Sequence, residues 1–150
     1  MKRFATIAEL QALVGQELGV SDWITVDQRR IDLFAEATGD HQWIHVDPAK
    51  AATGPFGATV AHGFLTLSLL PEMAAGAFEI DGSRMGVNYG LNRVRFTAPV
   101  PVDSRLRGRF KLLSYEAIEG GAQMAMEVTM EREGSPKPVC VAESIVRRFI

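Results

Sequence analysis

Two histidines, two aspartates and a tryptophan crowd the stretch Gly39-Asp40-His41-Gln42-Trp43-Ile44-His45-Val46-Asp47-Pro48. It lies between a helix stop and a helix start, and irregular segments held on a rigid scaffold are where catalytic groups collect. If the five-step excursion from Asp40 to His45 folds back, the two side chains converge. A carboxylate and an imidazole so placed can deprotonate a water and return a proton. The same residues also suit a bland arrangement, in which Asp40 caps a backbone turn and His45 is a hydrogen-bonded packing residue. His41 and His45 have the i, i+4 spacing of zinc-binding helical histidines. Gly39 before them and Asp47-Pro48 after them break a regular helix, and no cysteine or further histidine lies in the segment, so no metal is expected.

Val60-Ala61-His62-Gly63 precedes an apolar helix. Amides at a helix start have no intrahelical acceptor, and a glycine there lets a ligand approach closely, so the Gly63 N–H is the chosen donor for polarising a carbonyl. A steric reason for Gly63, tight packing against a strand, is equally open. His62 caps or lines the same region and is given no proton-transfer role.

The elements that must hold these groups follow from periodicity. Thr6 and Glu9 form a capping box for a short helix that Gly15 closes, and a brief strand runs near Trp23 to Val26. Asp27 caps a helix with Ile31, Phe34, Ala35 and Thr38 on one face and Gly39 as its stop. Gly39 to His62 reads as mostly irregular, apart from a turn of helix begun by Asp47-Pro48. Gly63 to Phe78 is apolar on every face, which predicts a helix buried all round and kinked at Pro71. Beyond Gly82 the period becomes two: Val94 and Phe96, then Leu106, Gly108, Phe110 and Leu112 alternating with Arg105, Arg107, Arg109 and Lys111. Glu119-Gly120-Gly121 and Gly134-Ser135-Pro136 turn the chain into two further strands, the first with Met124, Met126 and Met130 facing inward. Helices early and an antiparallel meander late predict one α+β domain over residues 1–150.

Composition narrows the function. The chain has 150 residues, 47% apolar and 23% charged, with a net charge of −2. This suits one folded domain and gives no general attraction to nucleic acid. Cys140 stands alone in an apolar run, read as a buried inert thiol, and a cytoplasmic location is expected. No stretch has the roughly 18–20 apolar residues of a membrane span. The arginine stripe, with Arg93 and Arg95, suits either the phosphates of a nucleotide-bearing cofactor or the solvated face of a strand.

Three segments carry a resemblance: Ala37-Thr38-Gly39-Asp40, then His45-Val46-Asp47-Pro48 with Ala51-Ala52, then Val60-Ala61-His62-Gly63-Phe64-Leu65. In that order, with Asn92-Arg93-Val94-Arg95-Phe96 and Pro99-Val100 beyond, the chain resembles the MaoC-like dehydratases, or R-specific enoyl-CoA hydratases, and particularly their NodN-like branch. The resemblance covers about Asp27 to the C-terminus. It implies a hot-dog fold, in which one long central helix is wrapped by a curved antiparallel sheet, and a homodimer.

It further implies that Asp40 and His45 hold a catalytic water while Gly63 donates to the thioester carbonyl. Polarising that carbonyl makes the β-carbon of a trans-2-enoyl-CoA electrophilic, and the implied product is the R-3-hydroxyacyl-CoA. The CoA thioester is then the substrate, with no metal or redox cofactor. Trp43, Phe56, His62 and Phe64 are the expected substrate-binding residues. Hydratases of this family commonly carry Asn-Pro where this chain has Gln42-Trp43. Some also carry a serine where this chain reads Leu70-Pro71-Glu72. Two other functions stay open on the same residues: hydrolysis of an acyl-CoA thioester, and a non-catalytic acyl-CoA-binding module or partner subunit.

Overall fold

The computed structural model describes residues 1–150. A short strand β1 (Lys2–Phe4) leads into a 3₁₀ turn over Ala8–Leu13 and strands β2 (Glu17–Val20) and β3 (Ile24–Val26). Thr6 Oγ1 accepts the Glu9 N–H at 3.3 Å and the Glu9 carboxylate accepts the Ala5 N–H at 3.1 Å, so the expected capping residues are engaged. They start a 3₁₀ turn where the sequence predicted an ordinary helix. Helix α1 (Gln28–Thr38) is capped by Asp27, whose Oδ1 accepts the Arg30 N–H at 2.8 Å, and closed by Gly39 at φ 80°. A non-glycine residue there would strain the backbone that aims the next residue, Asp40.

Two short helices, α2 (Trp43–Val46) and α3 (Pro48–Ala52), occupy the stretch read as mostly irregular. The expected central helix is two consecutive segments, α4 (Gly63–Ser68) and α5 (Leu70–Ala77). Their junction is Leu69, not Pro71. Pro71 falls in the first turn of α5, where its missing N–H has no acceptor to lose and its fixed φ fits. The pair is also not buried on every face: Phe64, Ser68, Glu72 and Ala75 form an exposed stripe opposite Leu65, Leu69, Met73 and Ala77.

After β4 (Phe78–Ile80), which pairs in parallel with β1, come the long strands β5 (Met85–Arg95), β6 (Ser104–Ile118), β7 (Gly121–Arg132) and β8 (Pro138–Phe149). The main sheet is antiparallel, in the order β2-β6-β7-β8-β5, with β3 beside β2 on the β6 edge. Its inner face lies on α5. Phe110, Leu112, Met124, Val128 and Met130 are fully buried against Met73 and Leu18, each such side chain worth roughly 1.5–3 kcal/mol of hydrophobic free energy. The methionine face is core, as its alternation predicted. Arg105, Arg107 and Arg109 lie on the outer face, paired with Glu133, Glu131 and Glu17. Cys140 is fully buried, and desolvation pushes its thiol pKa up to about 11. No helix is long and apolar enough to cross a membrane.

Candidate active site

Gly39 ends α1 and delivers Asp40 to the surface, where Asp40 Oδ1 accepts the Gln42 N–H at 3.3 Å. One turn later α2 carries His45 inward. The Val60 N–H donates to the Ile44 carbonyl at 3.0 Å and fastens α2 to the segment leading into α4. On the same contact, His45 Nδ1 lies 2.6 Å from the Val60 carbonyl. A carbonyl only accepts, so Nδ1 carries the hydrogen and Nε2 presents a lone pair. From the other side, the Gln28 amide donates to the His45 carbonyl and accepts from the Thr59 hydroxyl, at 2.8 and 2.6 Å.

His62 packs behind this imidazole. The two rings are stacked with centroids 3.8 Å apart and planes 23° from parallel, and Phe34 covers the His62 ring at 5.0 Å. His62 Nε2 lies 3.0 Å from the Asp40 backbone carbonyl and therefore donates to it. Its Nδ1 is buried without a partner. His62 thus ties the backbone of Asp40 to the ring of His45.

Burial lowers the His45 pKa below its ordinary 6.5 by disfavouring the charged ring; the Val60 carbonyl opposes that, His62 adds to it, and Asp40 opposes it. His45 is accordingly neutral at pH 7, able to accept a proton at Nε2. A carboxylate oxygen of Asp40 and a ring nitrogen from each histidine all lie within 4.8 Å of one another. One water at ordinary hydrogen-bond distances of about 2.8 Å can bridge such a gap. A metal fits less well. Imidazole lone pairs lie in the ring plane, and stacked rings hold theirs in parallel planes that do not converge on one ion.

His45 faces a cavity of about 380 Å³ shared with Ile44, Phe56, Gly63, Thr66 and Phe96. Gly63 opens α4 at its edge, with its N–H free of any intrahelical acceptor. A Cβ on Gly63 would stand 2.9 Å from the Phe96 ring. The steric reason for this glycine therefore holds alongside the chemical one. Thr66, one turn further along α4, buries its hydroxyl without a partner.

Of the expected substrate-binding residues, Phe56 lines this cavity and the others do not. Trp43 precedes His45 by two residues, roughly 200° around a helix, and so points away. Its indole packs on Gly54, under the Lys50 ammonium 4.6 Å from the ring centroid. Phe64 is turned outward, 69% exposed, and touches the site only through an edge contact with Phe96 at 6.2 Å. His62 stands behind His45 rather than on the wall. Thr66, Phe96, Val60 and Gln28 were not singled out for the site in the sequence. The i, i+3 spacing of Gly63 and Thr66 puts the latter on the same helix face, Val60 and Phe96 lie in segments that carry the resemblance, and nothing local marks Gln28.

The MaoC like domain family model matches residues 9–134. The chain is 53% identical over 148 residues to "3-hydroxyacyl-thioester dehydratase Z" of Mycobacterium tuberculosis, covering 98% of each chain. It is 52% identical over 144 residues to "Nodulation protein N" of Rhizobium leguminosarum bv. viciae, covering 93% of this chain and 89% of the relative. Among solved structures, the R-hydratase PhaJ1 from Pseudomonas aeruginosa in the unliganded form superposes with a TM-score of 0.74 at 28% identity, over 97% of this chain and 86% of that one. The architecture is therefore the α+β hot-dog fold.

Proposed function

The chain belongs to the MaoC-like domain family and is a hydratase/dehydratase; on that premise we propose that it adds water reversibly and R-specifically to trans-2-enoyl-CoA. The observation that carries this reading is the neutral imidazole of His45, held on Val60, with the Asp40 carboxylate within one water's reach.

The acyl thioester lies in the cavity with its carbonyl oxygen on the Gly63 N–H, which stabilises the enolate-like charge that develops there. A water held between Asp40 and His45 Nε2 attacks the β-carbon. Its proton passes to Nε2, its hydroxyl forms the new C–O bond, and the imidazolium returns one proton to the α-carbon. Asp40 accepts the second O–H of the water and orients it. The enzyme ends in its starting protonation state, and no step in this sequence needs a metal or a redox cofactor. Delivery from one side of the thioester plane sets a single configuration at the β-carbon. Phe56 and Phe96 flank the acyl group, and Thr66 offers a hydroxyl with no partner in the protein.

A homodimer and a cytoplasmic location belong to the same reading. Edge strand β5 leaves Val87, Tyr89 and Leu91 exposed beside unpaired backbone groups, a surface suited to a second copy. The lone cysteine is buried and free.

Short and medium trans-2-enoyl-CoA substrates, with chiral analysis of the product, test the proposal. It predicts the 3R-hydroxyacyl-CoA. Release of free CoA thiol from saturated acyl-CoA would assign hydrolysis instead, and tight acyl-CoA binding with neither reaction would assign a binding module.

A further inference from the structure

A second cavity, of about 310 Å³, lies between α5 and the inner face of the sheet, away from His45. Leu70, Ala74 and Phe78 line it from the helix side, and Met126, Val128 and Val146 from the sheet. Such a lining suits an aliphatic chain. Its one charged lining residue is Arg148.

Arg148 belongs to the inward row of β8 that also carries Ala142, Ser144 and Val146. Its register neighbours are Gly86 on β5 and Ala122 on β7, both small. A Cβ on Gly86 would stand 2.9 Å from the guanidinium, so the missing side chain is what lets Arg148 lie flat against the edge strand. Arg148 Nε is buried and makes no hydrogen bond. No carboxylate pairs with Arg148, unlike Arg105, Arg107 and Arg109 on the outer face. Desolvation is the one influence on its pKa, which it lowers. A half-buried cation without a counter-charge is costly unless an anion supplied from outside completes it.

We propose that this cavity binds an aliphatic chain ending in a carboxylate, the chain against α5 and the carboxylate on the Arg148 guanidinium. Pockets of this kind combine an apolar lining with a few placed polar groups, here Asn88, Ser144 and Arg148. Two sources share the chemistry. One is a free fatty acid. The other is the tail of an ω-carboxy acyl thioester whose reacting end sits at His45. The second rests on the hydratase reading; the first does not. Gly63, Leu67, Leu70 and Ala74 follow one face of α4 and α5 from the His45 cavity to this one, and Thr66 to Ala74 spans roughly 12 Å of helix axis.

Calorimetric titration of the full chain with decanoate and with decanol, for wild type, Arg148→Gln and Arg148→Lys, tests the binding without any turnover. Decanoate is expected to bind wild type at least about tenfold more tightly than decanol, with Arg148→Gln removing that preference and Arg148→Lys keeping part of it. Kinetics with trans-2-decenoyl-CoA and its ω-carboxy counterpart separate the sources. An Arg148-dependent preference for the ω-carboxy thioester assigns the substrate tail; decanoate binding without that preference assigns a separate fatty acid. Equal binding of decanoate and decanol to wild type overturns the proposal. So does Arg148→Gln that leaves decanoate affinity unchanged, including the case where light scattering shows it alters only the association of two copies. If Arg148→Gln fails to fold, the wild-type decanoate-to-decanol ratio and its decline with salt decide the matter.

Discussion

His62 donates to the Asp40 carbonyl at 3.0 Å while its ring lies 3.8 Å from that of His45, so one buried side chain sets the relative position of the carboxylate-bearing backbone and the imidazole. His62→Phe preserves the aromatic stack and removes the hydrogen bond. We expect kcat to fall about tenfold or more with KM changed less, and the acid limb of the pH–rate profile to move up toward 6.5, because His62 is one of the influences that lower His45. A merely structural His62 would lower stability and leave the limb where it was.

The His45 pKa also couples to stability. Between its folded value and the ordinary 6.5, the unfolded chain binds more protons than the folded one, so stability rises with pH across that window and is complete above 6.5. It is lost as pH falls toward the folded value. Urea midpoints at several pH values, with and without His45→Gln, give the slope, and NMR titration of the ring gives the pKa. A ring that titrates above 6.5 would contradict the burial argument.

Gly63→Ala forces the Phe96 ring away from α4, because the added methyl would stand 2.9 Å from it. The ring cannot yield without changing the cavity mouth. Hydration with crotonyl-CoA should fall at least tenfold, or about 1.4 kcal/mol in transition-state terms. The double variant Gly63→Ala/Phe96→Ala separates the two roles of this glycine. Activity recovered to the level of Phe96→Ala alone would assign it to packing, and a loss beyond that level would support the amide contact.

The arginine ladder makes a contrasting case. Arg107 Nε bonds Glu131 at 2.7 Å and its guanidinium stacks 4.5 Å over Trp23, while Arg109 bridges Glu17 and Glu131. These side chains are about a third exposed, so Arg107→Ala should destabilise by no more than about 1 kcal/mol, less at high salt. KM for acyl-CoA should not change. A rise in KM at low salt would mean that the ladder holds the CoA phosphates after all.

Local chemistry was readable in the sequence wherever the partners are near in the chain. Asp27 and Gly39 mark both ends of α1, the Asp47-Pro48 start of α3 stands where its cap and proline put it, and the Met124–Met130 alternation gives the buried face of β7. Asp40 and His45 were visible as a pair for the same reason. What escaped the reading needs the folded chain. Phe96 lies against Gly63 across 33 residues of sequence, Gln28 holds His45 from another helix, and His62 changes from wall to support because α4 enters behind the ring. β5 alternates Gly86, Asn88, Gly90 and Asn92 with apolar residues, an exposed pattern whose strand character comes from pairing with β8. Trp43 stands off the His45 cavity because α2 is a helical turn, which sends Trp43 and His45 to opposite sides.

Steady-state hydration of trans-2-enoyl-CoA by wild type, Asp40→Asn and His45→Gln tests the central claim most directly, with circular dichroism to confirm that each variant folds. Removing either the imidazole base or the carboxylate that orients its water should lower kcat at least about 100-fold, with KM within about threefold, since neither group carries the acyl chain. Turnover left intact by Asp40→Asn, in a folded protein, would contradict the account.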